Sequence, residues 1–142
     1  EKASCGLYPY LFVTNDDPTV YLSLGMTYFG DKKLDMKSVR VETEDNYYDF
    51  TCGEEFIGGY DNDLKAWFAY ELFDMDDETS WLNEWLAAKS VTATFTGKDG
   101  STKTYTLTKD NLQAIRDVLN VYDTLLGSDV STARVVLRSL VK

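Results

Sequence analysis

The chain contains no histidine. That single absence removes Ser-His-Asp and Cys-His catalysis, histidine general bases and histidine metal ligands. Cysteine is scarce: Cys5 and Cys52 are the only two, and they form no CxxC pair. A thioredoxin-type redox pair and a zinc knuckle are therefore excluded. Proline is confined to Pro9 and Pro18, and no Pro- or Ser-rich linker or internal repeat divides the sequence. Positive charge is in deficit, with 14 Lys and Arg against 24 Asp and Glu, a net charge of -10. Nucleic acid and anionic membrane surfaces repel such a chain, because binding them needs clustered Lys and Arg. No apolar run approaches the ~20 residues of a membrane span, so no membrane insertion is expected. No apolar core of a signal peptide follows Glu1, which fits either a mature chain from which one has been removed or a trimmed chain. GxGxxG, GxxxxGK and GxSxG motifs are missing, which disfavours nucleotide binding and a nucleophile elbow.

What is present points to an ordered protein. Hydrophobic residues make up 44% and charged residues 27% of 142 residues, within the range of globular domains rather than disordered chains. The length predicts a single domain, 1–142. Aromatics reach 14%, with ten Tyr, seven Phe and three Trp. The even cysteine count predicts one disulfide between Cys5 and Cys52 in an oxidising compartment, two unrelated buried thiols being the alternative. Such a bridge closes a loop of about 48 residues and is worth about 4 kcal/mol in the chain-entropy model.

Periodicity sets the expected elements. Residues 14–18 are a turn cluster ending at Pro18. Over 19–29, Val20, Leu22, Leu24 and Met26 alternate with Tyr21, Ser23 and Gly25, the period of a strand. Val39 and Val41 alternate with Ser38, Arg40 and Glu42 in a second strand, and 47–52 reads as a third. Together they predict an antiparallel meander with one solvated face. Residues 53–78 are less regular, broken at Gly58 and Gly59, with 64–73 read as strand rather than helix. Trp81, Leu82, Trp85 and Leu86 form one helical stripe, with Asp77 or Thr79 as its N-cap and Lys89 at its C-terminal end. Residues 91–108 form a β-hairpin turning at 97–101. Val91, Ala93, Phe95, Tyr105 and Leu107 point inward, and Thr92, Thr94, Thr96, Thr104 and Thr106 outward. Thr108 caps a helix carrying Leu112, Ile115, Leu119, Tyr122 and Leu126, which stops at Gly127. Residues 131–142 fit a short helix, with strand as the alternative. The fold class is α+β: a mostly antiparallel sheet, meander plus C-terminal hairpin, with two to three helices packed on one face.

The run Trp81-Leu82-x-x-Trp85-Leu86-x-x-Lys89, followed by Val91-Thr-Ala-Thr-Phe-Thr-Gly97 and by Tyr105, Leu107, Leu112, Ile115, Val118, Leu119 and Tyr122, resembles small secreted or cell-surface domains of Gram-positive bacteria. The resemblance covers about 40 residues, mostly packing positions. It implies an extracellular or cell-surface location and no catalytic residue.

Three kinds of site chemistry remain. Calcium needs six to eight oxygens, and Asp74, Asp76 and Glu78 at i, i+2 and i+4 can offer three. A complete EF-hand loop would need Gly and Glu where Thr79 and Trp85 stand, so a solvated turn or helix cap is the alternative. The tripeptide Asp61, Asn62 and Asp63 is a second acidic candidate. Tyr47, Tyr48 and Tyr60 lie among Asp45, Asn46, Asp49, Asp61 and Asn62, a composition suited to a sugar-stacking platform, whereas Trp67, Trp81 and Trp85 are expected as core anchors. A pair of carboxylates serving a hydrolase is the third alternative, with no local motif behind it. The expectation is a non-enzymatic extracellular interaction module binding a protein or a carbohydrate, with no cofactor. The narrower alternative is a carbohydrate-binding accessory domain using the tyrosines.

Overall fold

The described residues form eight strands and two amphipathic helices. The computed structural model describes residues 4–13, 20–53 and 57–126. In chain order the elements are β1 (Gly6–Val13), β2 (Val20–Gly30), β3 (Met36–Glu42), β4 (Tyr47–Thr51), β5 (Ile57–Asp61), β6 (Ala66–Asp74), α1 (Thr79–Ala87), β7 (Thr92–Gly97), β8 (Thr102–Thr106) and α2 (Lys109–Leu125). The strands form two four-stranded sheets, β1-β2-β6-β5 and β4-β3-β7-β8. Every pairing is antiparallel.

The α+β class stands, with one correction: the strands make two sheets rather than one. The described residues hold two helices, within the two to three expected. The expected meander over 19–52 is split for a simple reason. Both flanks of β2 are occupied, by β1 and by β6, so β3 has no edge to join and opens the second sheet with β4. The turn at 14–18, the stop at Gly127 and the segment 131–142 lie outside the described residues.

One buried cluster draws on both sheets and both helices. Tyr28 of β2 meets Phe95 of β7, and Phe73 of β6 meets Phe50 of β4, with ring centroids 6.2 and 5.2 Å apart. Trp81 and Trp85 of α1 pack on Tyr48 and Phe50. Trp85 and Phe95 are fully buried. Trp81 is only half-buried, and Trp67 lies outside the cluster, edge-on to Tyr60, so two of the three expected anchors are partial ones.

The hairpin follows the sequence reading. Val91, Ala93, Phe95 and Leu107 are buried, Tyr105 is half-buried, and Thr104 and Thr106 are exposed. Gly100 takes φ 86° at its turn, a conformation L side chains avoid. Thr108 caps α2, its hydroxyl accepting from the Asn111 amide at 3.1 Å. The stripe of α2 ends on buried Leu125, while Leu126 is extended and exposed. The cap of α1 departs from expectation. Its N-cap is Glu78, with no side-chain bond, and Lys89 lies beyond the last turn.

α2 runs against β1 and β2. Its buried Asn111 deals with the free edge of β1. The Asn111 carbonyl accepts from the Leu7 amide at 3.1 Å, and its NH2 donates to the Leu7 carbonyl. One side-chain amide thus replaces a missing strand partner and satisfies two backbone groups at the buried end of the edge.

Candidate functional site

Strand parity decides which side chains leave the molecule. In the first sheet Leu7, Leu22, Leu24, Met26, Ala69 and Phe73 point to the second sheet and the core. Their neighbours point the other way, and register aligns them. Tyr8 stands opposite Gly25, Tyr10 opposite Ser23 and Phe12 opposite Tyr21. Across β2, Gly25 pairs with Leu72, Thr27 with Tyr70 and Phe29 with Phe68. The outer face of this sheet is therefore covered with rings. Tyr8 is 40%, Tyr10 41%, Phe12 46% and Tyr21 42% exposed, and Ile57 and Leu72 are exposed beside them.

Two glycines shape this face. A Cβ at Gly25 would stand 2.7 Å from the Tyr70 ring and 2.8 Å from the Tyr10 ring, and a Cβ at Gly6 would stand 2.5 Å from the Tyr8 ring. The rings lie over the positions where side chains would otherwise stand, a close approach that glycine permits. Tyr70 and Tyr10 are joined through their hydroxyls. Burial, then the proximity of Tyr10, then that hydrogen bond raise the Tyr70 phenol above its usual range. Charge is nearly absent from the face. Asp74, at one margin, accepts from the Ser23 hydroxyl at 3.3 Å. Asp61, at another, is spent on its own turn, accepting from the amides of Asp63 and Leu64 at 2.9 Å each.

The tyrosines expected to form a platform are not brought together. Tyr47 and Tyr48 are consecutive on β4 and so point to opposite sides. Tyr48 is buried, donates to Glu84 and is edge-on to Trp85. Burial first and the Glu84 carboxylate second push its phenol up to about 12. Tyr47 is exposed beneath the Arg40 guanidinium, 4.3 Å from its ring centroid. Tyr60 lies in the other sheet, 5.3 Å from Trp67, on the side opposite Tyr10.

The acidic candidates are likewise structural. One Asp76 oxygen accepts from the Leu22 amide at 2.8 Å and from the Tyr122 hydroxyl at 3.0 Å, tying β2 to α2. Asp74 bonds Ser23 and Glu78 is the N-cap of α1. Among the described residues no group of three Cys, Asp or Glu side chains is placed to hold a metal ion.

The disulfide is also corrected: both cysteines are free thiols. Cys5 Sγ accepts from the Phe29 amide and donates to the Phe29 carbonyl, both at 3.3 Å, and feels Lys103 of β8. Cys52 follows β4, at the opposite edge of the second sheet, beside Glu71; burial and that carboxylate push it up to about 11. Cys5 leads into β1 of the first sheet, with its thiol engaged by the Phe29 backbone, whereas Cys52 follows β4 of the second sheet, and neither thiol is partnered by the other.

The rings of β1 and Tyr21 are the residues that reading the sequence missed. Their signal was present: Tyr8, Tyr10 and Phe12 alternate with Leu7, Pro9, Leu11 and Val13. Both alternating sets are apolar, so the segment lacks the polar half that marks a strand with one wet face. Compared with known proteins, the chain matches no family model, no curated protein and no solved structure.

Proposed function

We propose that this chain is a non-enzymatic interaction module of a bacterial secreted or cell-surface protein, and that it holds its partner, a protein or a carbohydrate, on the outer face of the first sheet. The observation that carries this reading is the exposure of Tyr8, Tyr10, Phe12 and Tyr21 side by side on two adjacent strands. Each ring left in water forgoes the burial gain of roughly 25 cal/mol per Å² of apolar surface. A contiguous set of them on one face is the mark of a surface that a partner covers. Tyrosine suits this use, offering a rigid apolar body and a hydroxyl that still finds a hydrogen bond. The location follows the resemblance to secreted and cell-surface domains, and a histidine-free sequence without nucleophile motifs supports a role without chemistry of its own.

The test is saturation binding of the labelled chain to intact bacterial cells and to immobilised extracellular proteins, with wild type and a Tyr10→Ser, Phe12→Ser variant compared. Binding that the variant loses while keeping its melting temperature supports the reading. Equal binding by the two proteins overturns it.

A further inference from the structure

The character of this face narrows its partner. We infer that it binds an uncharged glycan whose sugar rings stack along Tyr8, Tyr10 and Phe12, an inference that rests on the binding-module reading above. The first argument is charge. The molecule carries a net charge of -10, yet the outward positions of the four strands hold only Asp74 and Asp61, both at the margins and both hydrogen-bonded within the chain. A polyanion is repelled by the molecule as a whole, and a polycation is drawn to the acidic surface elsewhere rather than to this face. A second copy would bring another -10 against the first. What complements an uncharged face on an acidic molecule is an uncharged ligand.

The second argument is shape and chemistry. The ring-bearing residues of β1 recur at every second position, so their Cα atoms stand roughly 6.8 Å apart along one face. Gly6 and Gly25 let Tyr8, Tyr10 and Tyr70 lie down over the sheet, so the platform is broad and low rather than a row of upright side chains. A sugar ring has an apolar C–H face and a rim of hydroxyls. The C–H face matches the phenyl surfaces, and the rim can reach the hydroxyls of Tyr10, Tyr21 and Tyr70, which share this side of the sheet. Gly25, beneath these groups, leaves the space in which the Tyr10 and Tyr70 rings lie flat.

Affinity electrophoresis tests this with four probes: a mixed-linkage β-glucan, a mannan and a xylan, all neutral, and polygalacturonate as the anionic arm. Wild type is expected to be retarded by at least one neutral polymer and not by polygalacturonate. Tyr10→Ser with Phe12→Ser should weaken the retardation at least tenfold, and Gly25→Val, which lifts the Tyr10 and Tyr70 rings, should do so with every ring still present. Thr94→Ala, on the other sheet, should bind as wild type. If the double variant folds poorly, Tyr21→Ser alone is the substitute, with a smaller loss expected. Face-dependent binding to cells or extracellular proteins without retardation by any neutral glycan overturns the glycan and leaves the module reading standing, its partner then a protein. Retardation by polygalacturonate, or by a neutral polymer but unchanged in the variants, overturns the glycan assignment to this face. Absence of both kinds of binding removes the module reading with it.

Discussion

The two sheets present opposite surfaces to water. The outer side of β4-β3-β7-β8 carries Lys37, Ser38, Arg40, Glu42, Asp49, Thr51, Thr94 and Thr96 around a shallow depression of about 500 Å³. Its groups are matched among themselves. Arg40 grips Asp49 through two bonds of 2.7 and 2.9 Å, which holds the carboxyl below its usual range, and the hydroxyls of Thr94 and Thr104 are 3.2 Å apart. The outer side of β1-β2-β6-β5 carries rings and almost no charge. Both sheets share one core and the same kind of antiparallel ladder, so stability alone gives no reason for one to face water with threonine and the other with tyrosine. The difference is a surface property, and function is where surface properties are selected.

Breaking the shared core should have the largest effect. Trp85 is fully buried and touches Tyr48 and Phe50 of the second sheet, while Phe50 in turn touches Phe73 of the first. Trp85→Ala should lower unfolding stability by about 3–5 kcal/mol in a denaturant titration. Trp81→Ala, at a half-buried ring on the same stripe, should cost clearly less. Equal costs would mean that α1 does not bury one side as described. Asn111→Ala comes next. It strands the amide and carbonyl of Leu7 at a buried position, and the expected loss is about 2–3 kcal/mol. Hydrogen exchange should speed up first at Leu7, on the sheet that carries the rings, and last in the hairpin.

The same contrast explains what could be read from the sequence. In the second sheet every strand has one wet face, so Val39 and Val41 against Arg40 and Glu42, or Phe95 against its threonines, display the period of two directly. The hairpin, its register, the Thr108 cap and most of the α2 stripe were legible for that reason. In the first sheet both faces are apolar. β2 could be read from its alternation and β6 from its composition, but β1 and β5 could not: Leu7 to Val13 has no polar alternation, and β5 has two glycines in five residues. The binding candidates failed on the same logic. Tyr47 and Tyr48 were grouped because they are adjacent and lie among polar residues, yet adjacency on a strand is what separates them. The aromatic face depends on pairing β1 with β2, a contact between segments that local periodicity does not report.

Alkaline pH should act on the seams. Tyr48, buried against Glu84, and Tyr122, buried and donating to Asp76, are each pushed up to about 12 from an ordinary value near 10. A raised folded value means that the native state holds its protons more tightly than the unfolded chain. The contribution is complete below pH 10 and is lost as pH rises toward 12. Melting temperature should therefore fall between pH 10 and 12. Tyr122→Phe should be less stable at neutral pH, having lost the Asp76 bond, and its decline across that window should be shallower. A wild-type melting temperature that is flat over the same interval would show that neither hydroxyl is engaged.

The smallest expected effect bears most directly on the contrast between the faces. Tyr10→Thr gives the first sheet the residue that the second sheet uses, and Thr94→Ala trims the second sheet's own threonine. Tyr10 already has two-fifths of its surface in water. Its replacement gives up the contact over Gly25 and the bond to Tyr70 but opens no cavity, so the loss should stay within about 1 kcal/mol. Thr94→Ala removes one exposed hydroxyl pair with Thr104 and should fall within about 0.5 kcal/mol. Near-equality of these two numbers is the informative outcome. It would mean that the rings contribute no more to folding than threonines do, and that their presence answers to a partner. A Tyr10→Thr cost of several kcal/mol, approaching that of Trp85→Ala, would instead make the aromatic face a second core, and the reason for proposing a ligand there would be gone.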